Sequence, residues 1–417
     1  MINKKAIIVL LIVIMAFSGC SPGASGSSTG TVNTPGTEPT TPEPATQTKQ
    51  AADPIAEQLA GLSLEEKIGQ MFIVGLDGLT VDENAKKMIE NYYVGGFILF
   101  SDNLKNPDQM LELLNSLKAS NSVNRIPLFL SVDQEGGRVN RMPSELKEFP
   151  ANGAIGKINN AGLSFDIGSA IAQEIKAFGF NLDFAPVLDV NSNPQNPVIG
   201  DRSFGANAKA VSRLGTQTMK GLQAGGVIPV VKHFPGHGDT SVDSHIGLPL
   251  VDNDMDRLKS LELVPFEDAI KNGADVVMVA HILLNKIDPD NPSLLSKTII
   301  TGLLREQMKF GGVVITDDLT MGAILKNYDV GDAAVRAVNA GNDIVLVSHG
   351  YENEVKAADA VKKAVRDGTI SMARVDESVY RILKLKDKYK LKDGITDSVD
   401  IGKINGRIGA VLGDYKF

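Results

Sequence analysis

The sequence contains no tryptophan, a single cysteine and few aromatic residues of any kind. Aromatic side chains make up 5% of its 417 residues, which argues against a long aromatic-lined cleft. Because Cys20 is the only cysteine, neither a disulfide framework nor a thiolate metal cluster can form within the chain. The net charge of −8 argues against a general nucleic-acid-binding protein. The apolar content of 43% is enough for one large core or two smaller ones.

The N-terminus has the pattern of a secretory signal. MINKK supplies two lysines, AIIVLLIVIMAF is an apolar segment too short and one-sided for a stable membrane span, and SGC ends at Cys20. Small residues before a lone cysteine resemble a bacterial lipobox, which predicts a signal peptide over residues 1–19 and lipidation of Cys20. The protein would then be extracytoplasmic and anchored to the cell membrane by its lipid. The alternative is an ordinary signal peptide that contains a cysteine by chance.

The segment of residues 20–52 consists mainly of Ser, Thr, Gly and Pro, with almost no apolar residue. Such a composition cannot bury enough surface to offset the entropy lost on ordering, so it predicts a disordered linker. Fully extended, this linker would reach on the order of 100 Å from its lipid anchor. The folded part would be held at the membrane surface while remaining free to search around it.

From residue 53 onward, short apolar runs alternate with helical patterns. The runs are rich in β-branched residues and apolar on both faces, as parallel strands covered on both sides are. There are eight: 70–75, 95–100, 127–133, 180–186, 227–233, 274–281, 312–318 and 342–348. Amphipathic stretches at 163–179 and 208–226 end in glycine, as helices commonly do. The pattern predicts a single (β/α)8 TIM barrel over residues 53–393 and a C-terminal tail at 394–417.

A doubly wound α/β sheet is the alternative fold. It would need a glycine-rich phosphate-binding turn after its first strand, and the sequence VGLDGLTVDE at that point does not match the G-x-G-x-x-G pattern. The barrel is therefore the preferred prediction.

A TIM barrel also predicts where functional groups lie, because its catalytic residues sit at the carboxyl ends of the strands. Polar side chains end or follow several runs: Asp133, Arg141, Asp189, Arg202, Lys232, His233, His281, Asp317 and Asp318. Burying them together costs free energy unless a ligand or partner groups satisfy them. The sequence therefore predicts a binding or catalytic site at one rim of an apolar scaffold.

The most specific segment is KHFPGHGDTSVDSH, residues 232–245, which holds three of the five histidines. Together with SVDQEGGRVNR and ITDDLTMGA it resembles glycoside hydrolase family 3, and within that family the β-N-acetylhexosaminidases that trim cell-wall muropeptides. The resemblance covers about residues 55–390. It implies a retaining exo-glycosidase that removes terminal N-acetylglucosamine from muropeptides or chitooligosaccharides. It implies no metal or organic cofactor and no nucleic-acid partner, and we expect a monomer.

Carried over by position, the resemblance implies that Asp317 is the nucleophile, His245 the acid/base and Asp243 its partner. It also implies five sugar-binding residues: Asp133, Arg141, Arg202, Lys232 and His233. The chemistry is consistent, since a retaining glycosidase needs a carboxylate on one face of the sugar and a proton donor on the other. An imidazole can donate and accept protons near neutrality. In an extended segment, Asp243 lies on the same side as His245 and can fix its tautomer.

Pro235, Gly236 and Gly238 keep the segment from forming a helix. We therefore hypothesise that residues 236–246 form a loop that closes over the bound sugar. Other residues receive lesser roles: Glu135 and Asp318 as supports, His237 as a turn residue, His281 as a hydrogen-bonding group at the barrel top, and His349 as part of a surface loop. The basic run KLKDKYKLKD, residues 384–393, suggests the solvated end of a last helix.

Four other functions stay open on the sequence. A metal hydrolase could use His233, His237 and His245, but Pro235 and Gly236 break the helical spacing found in zincins. A lipid-anchored glycan-binding protein without catalysis would need no paired nucleophile and proton donor. Another family 3 specificity, such as β-glucosidase or β-xylosidase, is the third. The fourth is an N-acetylglucosamine phosphorylase, because an imidazole donor would not repel phosphate as a carboxylate would.

Overall fold

The computed structural model describes residues 30–31, 53–241, 243–244, 247–413 and 415–417. The predicted signal peptide over 1–19, the lipidation site Cys20 and nearly all of the predicted linker lie outside these residues. His245, the predicted acid/base, also lies outside them.

Eight parallel strands form the central sheet. They are Phe72–Val74 (β1), Gly96–Leu99 (β2), Phe129–Val132 (β3), Leu182–Asp183 (β4), Ile228–Phe234 (β5), Val276–Val279 (β6), Val313–Thr316 (β7) and Val345–Val347 (β8). Their order is β8-β1-β2-β3-β4-β5-β6-β7. A parallel bridge between Ile315 and Ile344 joins the two ends, so the barrel is nearly closed. Each strand coincides with one predicted run, which confirms an α/β fold with an eight-stranded parallel barrel, consistent with a TIM barrel.

The strands form because their sequences suit burial on both faces. Every residue of β1, β2, β3 and β7 is buried. Most are Val, Ile, Leu or Phe, whose branched or aromatic side chains fit a pleated surface covered on both sides. Ser131 is an exception on β3, and its hydroxyl donates to the carbonyl oxygen of Phe97 at 2.8 Å. Because it has this partner, the polar group costs little when buried.

Helices surround the barrel. The α-helices are Pro54–Ala60 (α1), Leu64–Gln70 (α2), Glu83–Glu90 (α3), Pro107–Ser120 (α4), Asn152–Ile158 (α5), Ala161–Phe178 (α6), Ala208–Ala224 (α7), Met255–Ser260 (α8), Val264–Lys271 (α9), Gly322–Leu325 (α10), Val330–Ala340 (α11), Tyr351–Arg366 (α12), Met372–Lys388 (α13) and Ile401–Leu412 (α14). Short 3-10 helices lie at Ser101–Asn103, Asn121–Val123, Gly200–Arg202 and Ser293–Leu295, and a π-helix spans Thr298–Gln307. Leu250–Val251 and Leu283–Leu284 pair as a small parallel sheet. Among the helices of the described ranges, none has the length and apolarity needed to span a lipid bilayer.

Local sequence signals set the ends of α6. The side chain of Asn160 accepts hydrogen bonds from the backbone N–H groups of Gly162 and Leu163 at 2.9 and 3.3 Å. Gly179 ends the helix in the left-handed conformation, with φ of 109°. The two predicted helices, 163–179 and 208–226, correspond to α6 and α7 to within two residues at each end.

The prediction that residues 384–393 form the solvated end of the last helix holds only in part. Helix α13 ends within this run, at Lys388, and Lys384, Lys390 and Lys392 are exposed, but one lysine of the run is not. Lys386 is buried, and its Nζ donates to Oε1 of Gln70 and to the carbonyl oxygens of Gly95 and Pro127 at 2.7, 2.9 and 2.7 Å. Burial lowers its pKa to about 7. Its acceptors precede β1, β2 and β3, so Lys386 fills the amino-terminal end of the barrel. A further helix, α14, follows and packs against α6.

Candidate active site

A cavity of about 410 Å³ opens at the carboxyl ends of the barrel strands. Its lining includes seven residues that the sequence predicted for the site: Asp133, Arg141, Arg202, Lys232, His233, Asp243 and Asp317. The barrel is what brings together residues so far apart along the chain. Catalytic groups of TIM barrels lie at this end.

The turn after β3 carries charged groups into the cavity. Gly136 and Gly137 have φ angles of 88° and 57°, which other residues rarely adopt, and a Cβ on Gly137 would lie 2.6 Å from Cβ of Ala151. The reversal lets the backbone N–H of Glu135 donate to the carbonyl oxygen of Val139 at 3.0 Å. It thereby places Glu135 inside the rim, where it lines the cavity.

Glu135 is the centre of a buried ion cluster. Its carboxylate accepts from Nε and Nη2 of Arg202 at 2.8 and 2.7 Å and from Nζ of Lys232 at 2.7 Å. Nζ of Lys232 also donates to Asp133 at 2.5 Å. Burial opposes ionisation of Glu135, but Arg202 and Lys232 outweigh it and hold the pKa well below its usual range. Burial also opposes the charge of Lys232, yet Asp133 and Glu135 raise its pKa above the usual value.

His233 is oriented by Asp189, which the sequence analysis noted but did not assign to the site. Nδ1 of His233 lies 2.7 Å from Oδ2 of Asp189, and Nη2 of Arg202 lies 3.4 Å from Nε2. Burial would raise the pKa of Asp189, but its contacts with His233 and His237 together outweigh burial, and the pKa is lowered. An ionised carboxylate can only accept, so Nδ1 of His233 donates to Asp189. The sequence signal that could have identified Asp189 is its position as the second aspartate in the mostly apolar stretch FNLDFAPVLDV.

Asp317 stands directly after β7. Its backbone N–H donates to the carbonyl oxygen of Val279 at 2.9 Å, and its Oδ1 accepts from the backbone N–H of Asp318 at 2.8 Å. The side chain is 14% exposed and lines the cavity. Burial would raise the pKa of Asp317, but its neighbours His281, His233 and Lys232 and the backbone N–H of Asp318 together hold it below the usual value. A fixed, ionised carboxylate that is open to the cavity is suited to nucleophilic attack.

The adjacent Asp318 is engaged by the loops around it. Its Oδ1 accepts from the backbone N–H groups of Thr320 and Ser348 at 2.8 and 3.0 Å, and the Thr320 hydroxyl donates to it at 2.7 Å. These contacts tie the end of β7 to the end of β8. They agree with the interpretation that Asp318 supports its neighbour.

The first half of the loop after β5 is anchored. The carbonyl oxygen of His237 accepts from Nδ2 of Asn196 at 2.8 Å, and its Nδ1 lies 2.8 Å from the hydroxyl of Thr240. A Cβ on Gly238 would lie only 1.7 Å from the carbonyl oxygen of Val190. Burial lowers the pKa of His237 to about 4, so its imidazole is neutral near pH 7. These contacts hold the first half of the segment 236–246 in this structure, and its closure over a bound sugar stays a hypothesis.

Asp243 lies in the second half of this loop and lines the same cavity as Asp317. Its carbonyl oxygen accepts from the backbone N–H of Gly247 at 3.0 Å. The carbonyl oxygen of the adjacent Ser244 accepts from the backbone N–H of Ala323, on α10, also at 3.0 Å. The loop after β5 thus contacts the segment after β7, and both contribute to the lining of the cavity.

Comparison with known proteins places this geometry in a family. Residues 63–385 match the glycosyl hydrolase family 3 N-terminal domain. The chain belongs to glycoside hydrolase family 3. It is therefore a glycoside hydrolase, as the sequence predicted.

Several relatives of this family 3 chain have names or solved structures. Beta-hexosaminidase LpqI of Mycobacterium tuberculosis is 34% identical over 377 residues, covering 88% of this chain and 93% of the relative. Beta-hexosaminidase A of Pseudoalteromonas piscicida is 37% identical over 74% of this chain, which spans only 56% of that protein. The structure of a family 3 beta-N-acetylglucosaminidase from Paenibacillus sp. str. FPU-7 superposes with a TM-score of 0.79 at 43% identity. That match covers 84% of this chain and 68% of the other.

Two ring-bearing side chains at this family 3 cavity were not assigned to it from the sequence. His349, predicted to lie in a surface loop, is exposed but stacks on Phe100 with ring centroids 4.9 Å apart, and both line the cavity. The guanidinium of Arg141 lies 5.9 Å from the centre of the Phe100 ring. Phe100 follows β2 and His349 follows β8, and these strands flank β1 only because the barrel closes.

The metal-hydrolase alternative gains no support from the described part of the chain. Within residues 53–241, 243–244 and 247–413, no three His, Cys, Asp or Glu side chains are grouped so that they could hold a metal ion. Nδ1 of His233 is bonded to Asp189, and Oδ2 of Asp239 accepts from Nδ2 of Asn253 at 3.1 Å.

Proposed function

We propose that this family 3 enzyme is a retaining exo-β-N-acetylglucosaminidase in which Asp317 is the nucleophile and His245, assisted by Asp243, is the acid/base. The observation that carries the proposal is that Asp317 and Asp243 line one cavity from two different loops. A sugar bound there would meet both the carboxylate at the end of β7 and the loop that carries His245.

The reaction has two steps. In the first, a carboxylate oxygen of Asp317 attacks the anomeric carbon, and His245 protonates the glycosidic oxygen as its bond to that carbon breaks. In the second, His245 takes a proton from water, whose oxygen attacks the same carbon and releases Asp317 as a carboxylate. Two inversions restore the β configuration. The lowered pKa of Asp317 suits both steps, because the group must be ionised to attack and again when it leaves.

The ion cluster supports the sugar-binding roles. Glu135 holds both Arg202 and Lys232, and Lys232 also bonds to Asp133. Sugar hydroxyls can donate to the carboxylate of Asp133 and accept from the two cations. Nε of Arg141 is buried without a partner among the described residues, which costs about 1–3 kcal/mol unless a ligand bonds to it. We therefore assign the terminal sugar to this group of residues, together with His233.

The natural substrates we propose are muropeptides or chitooligosaccharides that end in β-linked N-acetylglucosamine. The names of the relatives support this class of sugar. A cavity of about 410 Å³ suits an enzyme that takes one terminal residue at a time. The lipobox-like sequence before Cys20 supports action outside the cytoplasm, at the membrane surface.

A fluorinated N-acetylglucosaminyl donor, which slows the second step, is expected to label Asp317. Peptide mass spectrometry of the trapped enzyme should place the sugar on this residue, and Asp317→Asn should remain unlabelled. A label on Asp318 would contradict the assignment. Absence of both a label and release from an aryl N-acetyl-β-glucosaminide would instead favour a glycan-binding protein, and release that requires phosphate would favour a phosphorylase.

His245→Ala should lower kcat by roughly 10²–10⁴-fold, because general acid and base assistance is lost. Asp243→Asn should lose a good part of the same factor, since the tautomer of His245 is no longer fixed. Aryl glycosides with leaving groups of decreasing pKa provide the measurement. The decrease in the rate of the first step should become smaller as the leaving group needs less protonation. A wild-type rate in Asp243→Asn would refute the role of Asp243 as the partner of His245.

A further inference from the structure

His281 is a buried side chain that the reaction described above does not use. It follows β6 and has no exposed surface. Among the described residues, neither ring nitrogen has a hydrogen-bond partner of normal geometry. The hydrogen bonds predicted at this position are replaced by looser approaches of the ring to the backbone of Asp318 and to the carboxylate of Asp317. A buried polar group without a partner is costly, so its presence at an active site requires an explanation.

The group that His281 faces is the carboxylate of Asp317. Its Nε2 lies 3.9 Å from Oδ2 of Asp317, whereas Oδ1 is already bonded to the backbone N–H of Asp318. Both residues follow neighbouring strands, and the carbonyl oxygen of Val279 holds the backbone of Asp317 in register with β6. A side-chain shift of about 1 Å would therefore make a hydrogen bond between the imidazole and the carboxylate.

We propose that His281 is a positioning residue for Asp317, presenting an Nε2–H group to Oδ2 and so fixing the carboxylate and favouring its ionised form. This proposal rests on the proposed function, in which Asp317 is the nucleophile. The carboxylate can only accept, so the ring proton belongs on Nε2. When the glycosyl-enzyme breaks down, the same N–H group stabilises the carboxylate that is released.

The surroundings support a neutral donor. Burial lowers the pKa of His281 and outweighs the opposing effect of Asp317 and Asp318, so the ring is uncharged near pH 7. A neutral imidazole keeps one N–H without placing a positive charge beside the nucleophile. Other groups that act on Asp317 include His233 and Lys232 on β5, His237 on the loop that follows β5, and the backbone N–H of Asp318. Loss of His281 alone should therefore shift, and not abolish, the ionisation of Asp317.

The test compares His281→Leu with His281→Gln. Leucine fills the space without an N–H group, whereas the glutamine amide can place an N–H near the position of Nε2. In His281→Leu the pKa of Asp317 should rise, because the N–H group that favours the ionised carboxylate is lost. The acid limb of kcat/KM against pH should then move to higher pH, and kcat should fall by up to about 100-fold with KM changed far less. His281→Gln should restore the acid limb and most of kcat.

An acid limb that stays in place in His281→Leu would overturn the proposal and leave His281 as a packing residue. Fluorosugar labelling of the wild type distinguishes failure of this inference from failure of the proposed function. If Asp317 is labelled and the acid limb of kcat/KM is unchanged in His281→Leu, only the role of His281 is rejected. A label on another residue rejects the proposed nucleophile and this inference with it. If His281→Leu does not fold, ¹⁵N NMR of histidine-labelled wild type decides. A proton on Nε2 supports the proposal and a proton on Nδ1 alone overturns it.

Discussion

Asp317→Ala should lose essentially all turnover while keeping the fold. We expect kcat to fall by roughly 10⁴–10⁶-fold, as for the loss of a covalent nucleophile in other enzymes. The fold should survive because the backbone N–H of Asp317, which bonds to Val279, is unchanged. The substitution also removes a mostly buried charge and creates none. Turnover of an aryl N-acetyl-β-glucosaminide measures the loss, and thermal unfolding measures the fold.

Asp332→Ala is the matched control for this prediction. Asp332 lies on α11 with its side chain 61% exposed, is not among the residues that line the cavity, and pairs only loosely with Arg336 at 3.8 Å. This variant should keep wild-type turnover. Azide, which is small enough to enter the space left by the carboxylate, should restore part of the activity of Asp317→Ala. Substantial turnover in Asp317→Ala without azide would exclude this residue as the nucleophile.

The barrel could be predicted from the sequence because its signals are local. Each strand is a short apolar run that is buried on both faces. Its composition alone therefore identifies it, whichever strands it pairs with. Helix ends such as Asn160 and Gly179 are also set by neighbouring residues. The site followed from the barrel, since polar groups at strand ends must meet at one rim. Asp133, Lys232 and Asp317 were placed in this way, and all three line the cavity.

What the sequence could not provide are contacts between side chains that are distant along the chain. The stacking of His349 on Phe100 depends on barrel closure, and the orientation of His281 toward Asp317 depends on the register of β6 and β7. Lys386 was predicted to be solvated because a run of lysines has the same sequence pattern at an exposed helix end as at the closed amino-terminal end of a barrel. Only the carbonyl groups that converge at the amino-terminal end of the barrel distinguish the two.

The ion cluster is another such case, and it shows what these contacts do for the site. Glu135 was read from the sequence as a support within a glycine turn. In the structure it holds Arg202 by two hydrogen bonds and Lys232 by a third. Because these cations are already held in place before substrate binds, the binding of a sugar carries no free-energy cost for ordering them. The stability of the rim and the affinity for the sugar should therefore both depend on Glu135.

Glu135→Gln should destabilise the fold by about 3–5 kcal/mol and raise KM. The side chain of Glu135 is 1% exposed. Neutralising it takes from Arg202 the carboxylate to which it is bonded and leaves Lys232 bonded to Asp133. Breaking one partner out of a buried ion pair typically costs this much, because the remaining charges are desolvated without compensation. Urea unfolding measures the effect as a lower midpoint at an unchanged slope. Some activity should remain, since Asp317 and the His245 loop are not altered.

Asp201→Asn supplies the comparison that separates burial from charge. Asp201 pairs with Arg138 at 2.9 Å near the same rim, but the two side chains are 57% and 47% exposed. An exposed pair contributes less than about 1 kcal/mol, because water solvates each charge when the other is removed. Equal destabilisation by the two variants would mean that the Glu135 cluster is not the buried support that its contacts indicate. A large difference would show that desolvation, and not the number of ion pairs, makes Glu135 indispensable to the rim.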